Sequence, residues 1–87
     1  MQQDYAEIYP NPVSGAELYI KTKVPAGIEA IVFLQNAQGQ PLRTVYQGTI
    51  QEEGQEITVS VADLPAGTYL LNLQLFDTFI SWQVIRQ

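Results

Sequence analysis

Apolar and polar residues alternate along most of this chain, which is the period of a β-strand with one buried face. The most apolar run follows Leu64-Pro65-Ala66-Gly67, where Pro65 presets its φ near −65° and Gly67 can take a positive φ. These four residues predict a tight turn. In the run that follows, the residues that share one face are Tyr69, Leu71, Leu73 and Leu75. We therefore predict a turn followed by a central strand over Gly67–Phe76.

Six further segments have strand-like patterns and are separated by turn residues. They are Ala6–Tyr9, Glu17–Lys23, Ala30–Gln35, Pro41–Gln47, Ile57–Val61 and Phe79–Arg86. Seven short strands, turn signals every 8 to 12 residues or so, and no helical period are typical of two packed antiparallel sheets. The sequence predicts an all-β fold, an antiparallel immunoglobulin-like β-sandwich of about seven strands.

Several local features refine this picture. Pro10, Pro12 and Pro41 lie where they would prevent pairing at sheet edges, whereas the last strand contains no proline. The polar stretch Gly48–Gly54 has few apolar residues and is predicted to be a mobile loop, and Asp77-Thr78 is predicted to be a short turn. Residues 1–5 are interpreted as a disordered or linker remnant, and residues 6–87 as one domain.

Composition limits the size of the core and the classes of partner. The 87 residues include no cysteine, so 46% apolar residues must form one modest core without disulfides. The net charge is −5, and the few basic residues are scattered, so we expect no nucleic-acid partner. No apolar run approaches the roughly 20 residues of a transmembrane helix, and the start lacks the pattern of a signal peptide. Met1 is therefore interpreted as an added initiator on an excised piece.

Candidate chemistry is sparse. Histidine and cysteine are absent, which removes the usual base and thiolate of nucleophilic hydrolases, so no catalytic residue, cofactor or metal is expected. Glu52, Glu53 and Glu56 could in principle bind calcium or act as acid and base, but their spacing matches no calcium loop and favours a solvated loop. Periodicity favours core positions for Tyr69 and Trp82.

The other tyrosines leave a binding function open. Tyr9, Tyr19 and Tyr46 are less constrained by periodicity, and aromatic faces stack on sugar rings. A non-catalytic carbohydrate-binding or adhesion module is therefore the alternative function.

Three segments in a particular order carry a family resemblance. They are Ile8-Tyr9-Pro10-Asn11-Pro12-Val13-Ser14-Gly15, then Asn36-Ala37-Gln38-Gly39-Gln40, then Leu64-Pro65-Ala66-Gly67-Thr68-Tyr69-Leu70-Leu71. With them, the chain resembles the C-terminal sorting domain of type IX secretion cargo, the Por system of Bacteroidota, from about Ile8 to Arg86. The family commonly ends in an apolar strand and a basic residue. Val84-Ile85-Arg86 matches that ending, and Gln87 extends one residue beyond it.

The resemblance implies a secretion signal without catalytic activity. Its expected partners are the type IX translocon, a sortase-like peptidase of the outer membrane that removes the domain, and an N-terminal cargo domain in the parent protein. The expected location is the periplasm in transit, then the outer membrane and cell surface or the medium. The residues it marks as candidates for recognition are Tyr9, Pro10, Asn11, Pro12, Gly15, Asn36, Gly39, Leu64, Pro65, Ala66, Gly67, Tyr69, Val84, Ile85 and Arg86.

Overall fold

The computed structural model describes residues 5–87, and it folds them into strands joined by turns, with no helix in that range. The strands are β1 (Ala6–Tyr9), β2 (Glu17–Thr22), β3 (Glu29–Asn36), β4 (Pro41–Thr49), β5 (Glu56–Ser60), β6 (Gly67–Leu75) and β7 (Thr78–Arg86). The predicted all-β fold of seven strands is confirmed.

The strands form two antiparallel sheets. One has the order β1-β2-β5 and the other the order β4-β3-β6-β7. Strand β6 therefore lies between β3 and β7, in the central position predicted for the segment after Gly67. The strands β4 and β7 are the edges of the larger sheet, so the last strand does lie at an edge.

Alternation along the strands builds the core between the two sheets. The predicted buried face of β6 is confirmed, since Tyr69, Leu71, Leu73 and Leu75 are all buried. Apolar residues with no measurable exposure come from both sheets and from the turn after β1: Val13, Leu18, Ile20, Val32, Leu34, Val59, Leu71 and Leu73. Burying one such side chain contributes about 1.5–3 kcal/mol before the cost of ordering it.

The outer face of the larger sheet contains one buried polar residue that periodicity places among the exposed positions. Asn72 is 2% exposed. Its Nδ2 donates to Oε1 of Gln35 at 2.8 Å, and its Oδ1 accepts from the Ser81 hydroxyl at 2.6 Å. These bonds satisfy the amide and cross three neighbouring strands, and the tilted rings of Phe33 and Phe79, 6.1 Å apart, lie on the same face.

Two predicted loops differ from the structure. The prediction of a mobile loop over Gly48–Gly54 is wrong at its start, because β4 continues to Thr49. Ile50 is buried, and its amide donates to the Ile28 carbonyl at 2.8 Å. Gly48 does not break the strand, since it pairs opposite Ala30. The last hairpin turn is one residue earlier than predicted.

Thr78 pairs with Leu75, which leaves Phe76-Asp77 as the turn of that hairpin. At the other terminus, residues 1–4 of the predicted linker lie outside the described residues. Tyr5 packs against the core, and its carbonyl accepts from the Lys23 amide at 2.7 Å.

The turn between β5 and β6 is closed by a tyrosine. Tyr69, near the start of β6, donates its hydroxyl to the carbonyl of Pro65 at 2.6 Å, while its ring is buried. A tyrosine at this corner, bonded to the backbone a few residues upstream, is the tyrosine corner of immunoglobulin-like sandwiches. The Leu64–Gly67 turn is therefore held by the strand that follows it.

One ion pair joins the edges of the two sheets. Both terminal nitrogens of Arg43, on β4, donate to the carboxylate of Asp63 at 2.9 and 3.1 Å, and Nη2 also donates to the Ser60 carbonyl at 2.5 Å. This bidentate geometry is the stronger form of such a pair. The neighbouring guanidinium holds the pKa of Asp63 below its usual value.

We expect Gly67→Val to destabilise the domain. Gly67 has a φ of +154°, which residues with a side chain rarely adopt, although no atom lies within 4 Å of an added Cβ. Strain alone should cost about 1–3 kcal/mol, and each kcal/mol should lower Tm by about 4–8 °C. Thermal melts measure this, with Gly15→Val as the control because space is also open there and no positive φ is required. An unchanged Tm for Gly67→Val would contradict the expected strain.

We expect the contribution of Asp63 to stability to depend on pH. Its pKa is lowered in the folded state, so the contribution is present above the unfolded value of about 3.9 and is lost as pH falls through the lower folded value. The difference in Tm between the wild type and Asp63→Asn should therefore shrink steadily as pH falls below about 5. Glu53→Gln is the control for the loss of one negative charge. A difference that stays constant with pH would show that the ion pair does not stabilise the fold.

Candidate functional site

Three turns and the end of the last strand lie at one end of the sandwich. The turns are residues 10–16, 37–40 and 61–66, which follow β1, β3 and β5. Because neighbouring strands are antiparallel, Asn36, Tyr69 and Val84 stand in one row across the larger sheet. The amide of Val61 donates to the carbonyl of Ala16 at 2.8 Å and joins the turns of the smaller sheet. All three sequence segments meet here, and we call residues 9–16, 36–40, 61–69 and 83–87 the motif end.

The segment after β1 pairs with the last strand. Val13 forms a parallel bridge with Arg86. Its amide donates to the Ile85 carbonyl at 2.8 Å, and its carbonyl accepts from the Gln87 amide at 2.9 Å. Val13 is also fully buried. Backbone pairing and burial at one residue therefore attach the beginning of the domain to its last strand.

The side chain of Asn11 extends this pairing. Its Nδ2 donates to the carbonyl of Gln83 at 2.8 Å, and its Oδ1 accepts from the amide of Ile85 at 3.0 Å. A side-chain amide here takes the place of a peptide unit in a neighbouring strand. Together with Val13, it makes four hydrogen bonds along the outer edge of β7 between Gln83 and Gln87.

The prolines on either side of Asn11 form the exposed part of this segment. Pro10 and Pro12 are exposed, and the peptide bonds before both are cis. Neither residue has a backbone donor, so the donors that reach β7 come from Asn11 and Val13. Pro10 and Pro12 thus limit the pairing of the segment after β1, and this segment in turn covers part of the edge of β7.

Arg86 connects the last strand to the turn before β6. Its Nε donates to the carbonyl of Val61 at 3.1 Å, and the residue pairs with Gly67 in the sheet. Arg86 also pairs with Val13, so the backbone of one residue is flanked by two of the three sequence segments. The basic residue near the end of the chain is half-buried and ties these segments together.

The middle segment forms its own hairpin turn. Oδ1 of Asn36 accepts from the amides of Gln38 and Gln40 at 3.0 and 2.9 Å, and Gly39 has a φ of +85°. These bonds shape the turn between β3 and β4. The turn lies at the motif end, but its link to the other segments is the sheet register through Tyr69.

Part of the β7 edge remains open. Since Gln83 and Ile85 direct their backbone groups away from β6, the alternation of an antiparallel strand directs those of Phe79 and Ser81 the same way. Within residues 5–87, no backbone hydrogen bond covers this portion of the edge. The open part of the β7 edge is thus limited to the first half of the strand.

The tyrosines considered for sugar binding lie elsewhere. The rings of Tyr9 and Tyr19, on the outer face of the smaller sheet, are 5.7 Å apart and tilted by 39°. The hydroxyl of Tyr9 donates to Glu56 and that of Tyr19 to Glu17, and these bonds raise the pKa of both tyrosines. Tyr46 is half-buried and donates to the Thr49 carbonyl at 2.8 Å.

Trp82 is half-buried and packs against the core. No group of three or more acidic side chains within residues 5–87 could hold a metal ion. The same part of the chain contains no helix long and apolar enough to cross a membrane.

The sequence marks Asn11 as a candidate for recognition, but it does not indicate what Asn11 or Val13 contacts. An apolar residue directly after Pro-Asn-Pro is a signal that the segment returns to the core. The contact with Gln83 has no comparable signal, because it joins residues 72 positions apart.

Comparison with known proteins gives one family. A model of the family described as secretion system C-terminal sorting domain matches residues 7–86. The match includes all three segments of the motif end and the strand that closes the larger sheet. A search of curated proteins gave no match.

We expect Asn11→Ala to weaken the attachment of the last strand. The variant loses two hydrogen bonds to exposed backbone groups that water can partly replace, so the free energy of unfolding should fall by about 1–2 kcal/mol. Amide exchange at Ile85 and Gln87 should become faster. Asn11→Asp keeps the acceptor for Ile85 and loses only the donor, so it should have a smaller effect on Ile85. Unchanged exchange in Asn11→Ala would show that the side chain does not hold β7.

Proposed function

Because the chain belongs to the family of secretion system C-terminal sorting domains, we propose that its folded motif end is the surface by which the type IX translocon selects the protein that carries it. A domain of this family is a C-terminal sorting signal of type IX secretion, and it directs its protein to the cell surface or the medium. The proposal concerns which part of the domain is recognised and by what.

The attachment of residues 11–13 to the end of β7 is the observation that supports the proposal. Four hydrogen bonds join segments more than 70 positions apart in sequence, so the surface they form exists only in the folded domain. Its exposed members include Pro10, Pro12 and Ile85. Val84 and Tyr69 are buried beneath it. We assign recognition to the exposed residues and support of their positions to the buried ones.

The two ends of the domain suit two different partners. Strand β1 begins beside Tyr5 and runs toward the motif end, so the chain enters the sandwich at the opposite end. A cargo domain on the N-terminal side would leave the motif end accessible to the translocon. A sortase-like peptidase could then cut the connection before Tyr5 while the motif end is bound. Transit through the periplasm precedes both steps in this proposal.

The alternative, a carbohydrate-binding or adhesion module, has weaker support. The surface it would use is the pair Tyr9 and Tyr19. Their rings are tilted rather than coplanar, and both hydroxyls are bonded to carboxylates. The two rings therefore do not form one flat surface, and their hydroxyls are already bonded within the domain. We also propose that the domain has no catalytic role, in keeping with a family that is not known for enzymes.

The proposal is tested by export of a reporter fused in front of this chain in a host with a type IX system. Removal of Arg86 and Gln87 deletes the bonds to Val61 and Val13 and should trap the reporter in the periplasm. Ile85 lies at the surface beside residues 11–13. Ile85→Gln should therefore reduce export several-fold without unfolding the domain. Phe79→Gln changes another exposed side chain on the same face of β7 and is the matched control.

A second control separates recognition from stability. Ile57 is buried near the start of β5, at the opposite end, so Ile57→Val should cost about 1 kcal/mol without changing the motif end. This variant should be exported normally if it remains folded by circular dichroism. Normal export of both the truncated chain and Ile85→Gln would refute recognition at the motif end.

A further inference from the structure

Phe76 combines two unfavourable features that the fold does not require. It occupies the first position of the two-residue turn between β6 and β7 with a φ of +48°. A positive φ is rare for a bulky residue, and tight hairpin turns favour Gly, Asn or Asp at such positions. Its side chain is also 84% exposed, the highest value among the large apolar residues that lie at the surface. An outlier of this kind points to a role outside the folding of the domain.

Phe76 lines two hollows. One, of about 200 Å³, is mainly apolar, and its lining includes Tyr5, Val24, Ile28 and Leu75. The other, of about 240 Å³, is more polar and opens on the outer face of the larger sheet between Gln47 and Gln74. Both are smaller than the roughly 300–1,000 Å³ of small-molecule sites, so each suits a side chain of a protein partner.

The position of this surface identifies the partner. Tyr5 lines the apolar hollow, and the chain enters the domain there. A C-terminal sorting domain follows a cargo protein, so the polypeptide before Tyr5 leads directly to the cargo. We propose that Phe76 and the two hollows beside it dock the cargo protein of the same chain through its apolar side chains. The inference rests on the proposed function, which supplies the cargo.

Covalent connection explains why so small a surface would suffice. A partner joined by a short flexible linker is present at an effective concentration of millimolar order, so a weak contact is populated without a large interface. Docking in this way orients the cargo away from the motif end, because Phe76 lies at the opposite end of β6 from Gly67. The translocon would then meet the motif end unobstructed.

The docking is tested by hydrogen exchange. The purified precursor, which is the cargo protein with this domain attached, is compared with the isolated 87-residue chain. Backbone amides in residues 24–28 and 75–78 should exchange at least ten-fold more slowly in the precursor, whereas residues 36–41 should not change. Phe76→Asn suits the turn better, so it should raise Tm of the isolated chain and yet abolish the protection in the precursor. Leu42→Asn removes another exposed apolar side chain, 44% exposed on β4, and should leave the protection intact.

Three results would overturn the docking. Equal exchange in the precursor and the isolated chain would show that nothing covers Phe76. Protection that persists in Phe76→Asn would show that the ring is not the contact. Protection of the isolated chain that grows with its concentration would assign the surface to a second copy of the chain. Since exchange is measured on purified protein and export in cells, each proposal can fail independently of the other.

Discussion

The backbone groups on the outer edge of β7 must find partners, and the way they do so determines the arrangement of the motif end. Residues 11–13 satisfy the half of this edge nearest the terminus. The bonds are made by the backbone amide and carbonyl of Val13 and by the side-chain amide of Asn11. An edge strand with exposed donors and acceptors invites pairing with other chains. By covering it, the segment after β1 gives the last strand a defined place and presents Pro10 and Pro12 beside it.

The residues of the three sequence segments and the last strand are of two kinds. Some maintain the geometry: Tyr69 closes the turn at Pro65, and the Arg86 side chain reaches the Val61 carbonyl. Asn36 belongs with them, because its side chain is used within its own hairpin turn. The remaining ones, such as Pro12 and Ile85, lie at the surface and make no comparable internal bond through their side chains. A shared sequence pattern in such a domain thus combines folding requirements with a surface available to partners.

The sequence predicts local features well and distant contacts poorly. A period of two reveals the buried face of β6, and proline with glycine reveals the turn before it, because both effects depend on neighbouring residues. Burial of Ile50 and Asn72 depends on which strands cover them, and that information lies elsewhere in the chain. The bonds of Asn11 to β7 depend on topology in the same way. The sequence predicts the last hairpin turn one residue too late, at Asp77-Thr78. Asparagine, aspartate and glycine ordinarily mark such turns, and Phe76 is none of these.

Limited stability decides which residues can reveal recognition. A domain of this length is stable by about 4–13 kcal/mol, whereas truncating one large buried side chain costs about 2–5 kcal/mol. Loss of export after substitution of Val84 or Tyr69 would therefore have two explanations, unfolding and lost recognition. Ile85 is 38% exposed, so its substitution removes less buried area than that of Val84 or Tyr69, and the domain should remain folded. The exposed members of the motif end are thus the positions at which an effect on export can be assigned to the translocon.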